Sequence, residues 1–166
     1  FDEELYKERL ERTKELFQKL KLNSDLEKMA RSLDRLSEEE KSLAESADTA
    51  RAEQQSKQQQ DIKEDLQKVK EQLNETGSDT AGYSKEMRKQ MESLDKETRS
   101  DFEETQKSLE ENLKKLQQLK EQQSGQQNSG GSGQQQKQKQ NQKLRQDIQQ
   151  QQQQIQQQMQ QMSSKM

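Results

Sequence analysis

Apolar residues recur at intervals of three and four along nearly the whole of this 166-residue chain, even inside DIQQQQQQIQQQMQQM (147–162), which is otherwise almost all glutamine. Such spacing follows the 3.6-residue turn of an α-helix and gives each helix one narrow apolar stripe. At 23% apolar residues, against roughly 45–50% in an ordinary globular domain, the chain cannot fill a thick core. Proline is absent, and the six glycines fall in two clusters, at 77–82 and 125–133, so long stretches contain no helix breaker. The expected fold is all-α: long amphipathic helices forming an antiparallel coiled-coil hairpin or an open helical bundle.

The stripes divide the chain. A first helix spans about 3–22, with Tyr6, Leu10, Thr13, Phe17 and Leu20 in one row, widened by Leu5 and Leu16. The row changes phase at LNSDLEK (22–28). There Ser24 and Glu27 have the spacing of a capping box, so a second helix begins or the first one bends. The second helix, about 25–74, carries Leu26, Met29, Leu33, Leu36 and Leu43 on a heptad seam broken only by Glu40. After a small, polar stretch the seam resumes in another phase with Ile62, Leu66, Val69 and Leu73, which a stutter near 54–60 accounts for.

NETGSDTAGY (74–83) has the composition of a reversing turn. A third helix, about 84–122, follows with Met87, Met91, Leu94, Phe102, Leu109, Leu113 and Leu116 on its seam, and the short connector predicts antiparallel pairing of 25–74 with 84–122. Residues 1–123 thus form a charged helical region, 124–133 a Gly/Ser/Gln linker, and 134–166 a basic Gln/Met-rich helix whose seam is Ile148, Ile155, Met159 and Met162. Glutamine is a good helix former, so it permits a helix whose face the isoleucines and methionines select. The third and fourth seams repeat every eleven residues, the period of a straight or slightly right-handed bundle.

Chemistry is sparse. With neither cysteine nor histidine, the chain lacks thiolate nucleophiles, imidazole bases and the softer ligands of zinc or copper, and its carboxylates follow the i, i+4 pattern of solvated helices. No enzyme, cofactor, metal site or small-molecule substrate is expected. Residues 124–166 hold five cations against one carboxylate, Asp147, but KQKQNQKLR (137–145) spreads four charges over nine residues without an aromatic platform, which disfavours nucleic acid. No apolar run is long enough to span a membrane.

The mid-chain KEDLQKVKEQLNE, the later SLEENLKKLQQLKEQQ, the glycine-serine break and the final QQQMQQMSSKM together resemble an uncharacterised group of large bacterial envelope proteins. Members begin with several membrane spans and continue as long coiled coils ending in MQQM-like repeats. The resemblance implies an extracytoplasmic position in the bacterial cell envelope and membrane attachment outside these residues; FDEELYKERL, without an initiator methionine, likewise reads as the start of a fragment. The expected function is a non-enzymatic scaffold or protein–protein interaction module. The alternative is an amphipathic lipid-surface binder, which narrow stripes flanked by glutamate and glutamine disfavour. Because one seam of seven large apolar residues cannot offset the ordering of some forty residues at about 1–2 kcal/mol each, the partners expected are other helices of the parent chain, self-association or a protein. The glutamine-rich helix is expected to depend most on such company.

Overall fold

The computed structural model describes residues 2–47, 50–80, 82–125 and 134–166. Four α-helices account for nearly all of them: α1 (Glu3–Glu45), α2 (Ala52–Ser78), α3 (Lys85–Gly125) and α4 (Gln134–Lys165). No strand occurs among the described residues. Each helix packs along two others in the cyclic order α1, α2, α3, α4, which closes an all-α four-helix bundle of antiparallel neighbours.

Two boundaries differ from the expectation. The first expected helix and the start of the second are one continuous helix, α1; Ser24 lies inside it and caps nothing. The phase change between Leu20 and Leu22 marks instead the place where α1 leaves the bundle. From Leu22 onward its seam is buried; before Leu22 the large apolar residues stay exposed, and the bundle reaches α1 at Gln18, which lies against Gly82 of the α2–α3 turn. The second difference lies inside the expected helix 25–74, which is two antiparallel helices. α1 ends at Glu45, α2 begins at Ala52, and the inferred stutter is a reversal of the chain.

Nothing in the sequence between Ser46 and Arg51 is a glycine or proline. The reversal combines local bonds, from Ser46 Oγ to Leu43 O (3.2 Å), the Ala47 amide to Ala44 O (3.3 Å) and the Ala50 amide to Ser46 O (2.9 Å), with bonds from other helices. A helix C-terminus leaves its last carbonyls without intrahelical donors, and here side chains of α2 and α4 add to the local ones: Gln55 Nε2 donates to Leu43 O (3.2 Å), Gln149 Nε2 to Ala44 O (3.1 Å) and Arg145 Nη1 to Ala47 O (2.9 Å). The last turn of α1 contains no basic residue, so Arg145 on α4 also places the cation that complements the negative end of the helix dipole.

The α2–α3 reversal uses local chemistry. Ser84 Oγ accepts from the Met87 amide (3.3 Å), capping α3, and the Tyr83 hydroxyl donates to Thr76 O (3.3 Å). At Gly82 the backbone runs so close to the Gln18 amide that a Cβ would collide with it. Of the expected linker, Ser124 and Gly125 belong to α3, and 126–133 lie outside the described residues.

The core consists of the seams. Leu26, Met29, Leu33, Leu36 and Leu43 on α1, Leu66, Val69 and Leu73 on α2, Met87, Met91, Leu94, Phe102, Leu109 and Leu116 on α3, and Ile148, Ile155, Met159 and Met162 on α4 are all buried. Leu113 is the exception: it is half-exposed, and Asn112 beside it is fully buried. Beyond Leu109 the α3 seam therefore steps 3-4-3 through Asn112, Leu116 and Leu119, leaving the eleven-residue period because Asn112 has polar partners inside the bundle. Thr98 and Thr105 stay on the seam without cost to it, since each hydroxyl donates to a carbonyl one turn back, Leu94 O (2.7 Å) and Asp101 O (2.6 Å).

Candidate functional site

Two features stand apart from the apolar core: a buried polar layer across all four helices, and an exposed apolar stripe on the part of α1 that the bundle does not cover.

The polar layer takes one residue from each helix: Glu40, Gln59, Asn112 and Gln152, each fully buried. Gln59 is its hub. Its Nε2 donates to Glu40 Oε2 (2.6 Å), while its Oε1 accepts from Asn112 Nδ2 (2.7 Å) and from Gln152 Nε2 (3.4 Å). Apolar residues continue on both sides, with Ile62, Leu109 and Ile155 in the larger cluster and Ala52, Leu116 and Ile148 in the smaller. The layer marks the register of the bundle. With Gln59 opposite Asn112, steps of three and four set Val69 level with Phe102 and Leu73 level with Thr98, so Met87 and Met91 lie near the α2–α3 turn, where Tyr83 packs against the same cluster.

Burial pushes the Glu40 carboxyl up to about 8 from its ordinary 4.5, with the Gln59 hydrogen bond pulling partly back. Three oxygens in the layer, Glu40 Oε1, Asn112 Oδ1 and Gln152 Oε1, have no donor among the described residues. The layer is short of donors, and a protonated Glu40 adds one. Its chemistry is that of a register-specifying layer in which a slip of one heptad would bury Glu40 against leucine. Among the described residues, no group of His, Cys, Asp or Glu side chains is arranged to hold a metal.

α1 and α4 meet along small residues one heptad apart, Ala30, Ser37 and Ala44. Ser163 Oγ donates to Ala30 O (3.2 Å), Ser37 Oγ to Gln156 O (3.2 Å), and Gln149 to Ala44 O as above. Side chains reach main-chain carbonyls only where helices approach closely. The glutamines of α4 are therefore functional in the fold: Gln149, Gln151 and Gln152 all donate to other helices, Gln151 to Glu111 Oε2 (3.1 Å).

The uncovered part of α1 begins at Glu3. The Leu5 amide donates to Asp2 Oδ1 (3.2 Å), Glu3 and Glu4 occupy the first turn, and the pairs Lys7–Glu3 and Arg12–Glu8 bridge successive turns. Since the bundle already nucleates α1, extending it costs no new nucleus. Leu5, Tyr6, Leu10, Leu16, Phe17 and Leu20 are 44–68% exposed along this projection. At about 100° per residue, Leu20, Phe17 and Thr13 face away from the side that Leu22, Leu26 and Met29 present to the bundle. The stripe was visible in the sequence, but its freedom from the core was not; the phase change at Leu20–Leu22 was the signal.

No helix among the described residues is long and apolar enough to cross a membrane. In comparisons with known proteins, no family model matches the chain, and neither a curated protein nor a solved structure matches it.

Proposed function

We propose that this chain is a non-enzymatic interaction module: a bundle that buries its own core and holds out the apolar face of the first nineteen residues of α1 for a protein partner. The observation that carries this reading is the stripe of six large apolar side chains left exposed on a helix that is otherwise integral to the bundle. Monomeric proteins rarely leave a contiguous apolar patch on a projecting element without a use for it. A helix firmly rooted at one end is also suited to present such a stripe, because little order has to be gained on docking.

The scaffold role is consistent with the rest of the molecule, in which polar seam residues specify register. Replacing both Leu10 and Phe17 by aspartate in the full chain tests the reading. The thermal unfolding midpoint should move by no more than about 2 °C, as expected for surface substitutions worth less than about 0.5 kcal/mol. A loss in the range of buried large-to-small changes, about 2–5 kcal/mol, would mean that the stripe packs within its own chain, and the reading would fall.

A further inference from the structure

We infer that the projecting stripe docks an acidic amphipathic helix of another protein, a partner that its charge pattern favours over a second copy of this chain; this rests on the reading of the segment as a docking element. The spacing of Tyr6, Leu10, Thr13, Phe17 and Leu20 is 4-3-4-3, the seam of a helix–helix contact. Over nineteen residues the projection is about 28 Å long, which matches a partner helix of roughly five turns.

The flanks choose the partner's charge. Taking Leu10 and Phe17 as a positions, the e positions are Lys7, Lys14 and Lys21, one heptad apart, and the g positions on the other border are Asp2, Arg9 and Leu16, with Glu3 at the first a position. Glu4, Glu8, Glu11 and Glu15 lie on the opposite side of the helix, away from the stripe. An antiparallel copy would set the lysine row against itself, and a parallel copy would set Arg9 against Lys14 while pairing Asp2 with Lys7, which leaves no net attraction. Neither arrangement gains attraction along its borders, whereas glutamates of a partner would face all three lysines on one border and Arg9 on the other.

A lipid surface is the less suitable occupant. At about 100° per residue, Arg9 falls between Leu16 and Leu20, and Thr13 lies at the centre of the stripe, so insertion would carry a guanidinium and a hydroxyl toward the acyl chains. At a helix seam Arg9 lies on the border, where a partner carboxylate reaches it.

The test titrates the full chain against a fluorescent 21-residue helix of three heptads with leucine at a and d and glutamate at e and g. Its twin carries lysine at e and g; vesicles of phosphatidylcholine and phosphatidylglycerol, and sedimentation of the chain alone, complete the set. The acidic peptide should bind at least about tenfold more tightly than its twin and weaken by about tenfold or more as salt is raised from 50 to 500 mM. Binding should be lost in the Leu10→Asp/Phe17→Asp variant. Lys7→Glu/Lys14→Glu/Lys21→Glu should reverse the preference between the peptides, and the corresponding Lys→Gln variant, which adds no new repulsion within the helix, should abolish it. Equal binding of the twins, a preference indifferent to the lysine changes, dimerisation through the segment, or vesicle binding that the acidic peptide does not compete with would each overturn the assignment. If the acidic peptide fails to bind while the aspartate variant keeps the bundle intact, the partner assignment falls and the docking reading stands; if that variant unfolds the bundle, both fall.

Discussion

Replacing Glu40 by glutamine should stabilise this protein at neutral pH, although it removes a carboxylate that accepts a 2.6 Å hydrogen bond. In the folded state burial holds the carboxyl proton up to about pH 8, whereas the unfolded chain releases it near 4.5. Between those values the folded state binds more protons, so its stability falls as pH rises through the window and is level on either side. At about 1.4 kcal/mol per pH unit, stability relative to acid pH is lower by about 3 kcal/mol at pH 7, where the folded carboxyl still holds its proton, and by about 5 kcal/mol above pH 8, where it is ionised. Glutamine keeps the acceptor for Gln59 and brings two donors to a layer that contains three oxygens without one. Urea unfolding of wild type and Glu40→Gln at half-unit steps from pH 4.5 to 9 isolates the effect, because the exposed carboxylates contribute equally to both proteins. The difference should be small at pH 4.5 and should grow in favour of the variant to a plateau above pH 8. A flat difference across this range, or a variant less stable than wild type at pH 7, would refute the account of the layer.

Two substitutions probe the bundle's least ordinary helix. Ile155→Ala, at a fully buried position of the glutamine-rich α4, should cost about 2–5 kcal/mol in chemical unfolding, the range for a truncated core isoleucine; a cost near zero would mean that α4 is not docked. Ser37→Leu should cost about 1–3 kcal/mol through overpacking, because Ser37 reaches the Gln156 carbonyl at 3.2 Å where α1 and α4 meet. An unchanged midpoint would show the two helices to be further apart than these contacts require.

The parts of the fold legible in the sequence are those that a single helix declares for itself. The stripe of α4 is one: Ile148, Ile155, Met159 and Met162 select a face regardless of neighbours, and glutamine leaves the helix intact. What escaped the sequence depends on other helices. The reversal after Glu45 lacks glycine and proline, and Gln55, Gln149 and Arg145, which help to satisfy its carbonyls, come from other helices. The phase change at Leu20–Leu22 is compatible with a helix break and with a helix leaving its bundle, and only packing separates the two. Glu40 registered as a flaw in a heptad. Its partners Gln59, Asn112 and Gln152 become recognisable only once the register places them at one level, and the same register moves the α3 seam from Leu113 to Asn112.

Amide hydrogen exchange along α1, measured at low protein concentration, addresses the central claim that one continuous helix is half core and half display. Residues 22–45 should exchange only through opening of the whole bundle. Residues 3–21 should exchange orders of magnitude faster, with the step at Leu20–Leu22. Uniform protection from residue 3 to residue 45, or a separate minimum at Asn23–Asp25 marking two helices, would contradict the account.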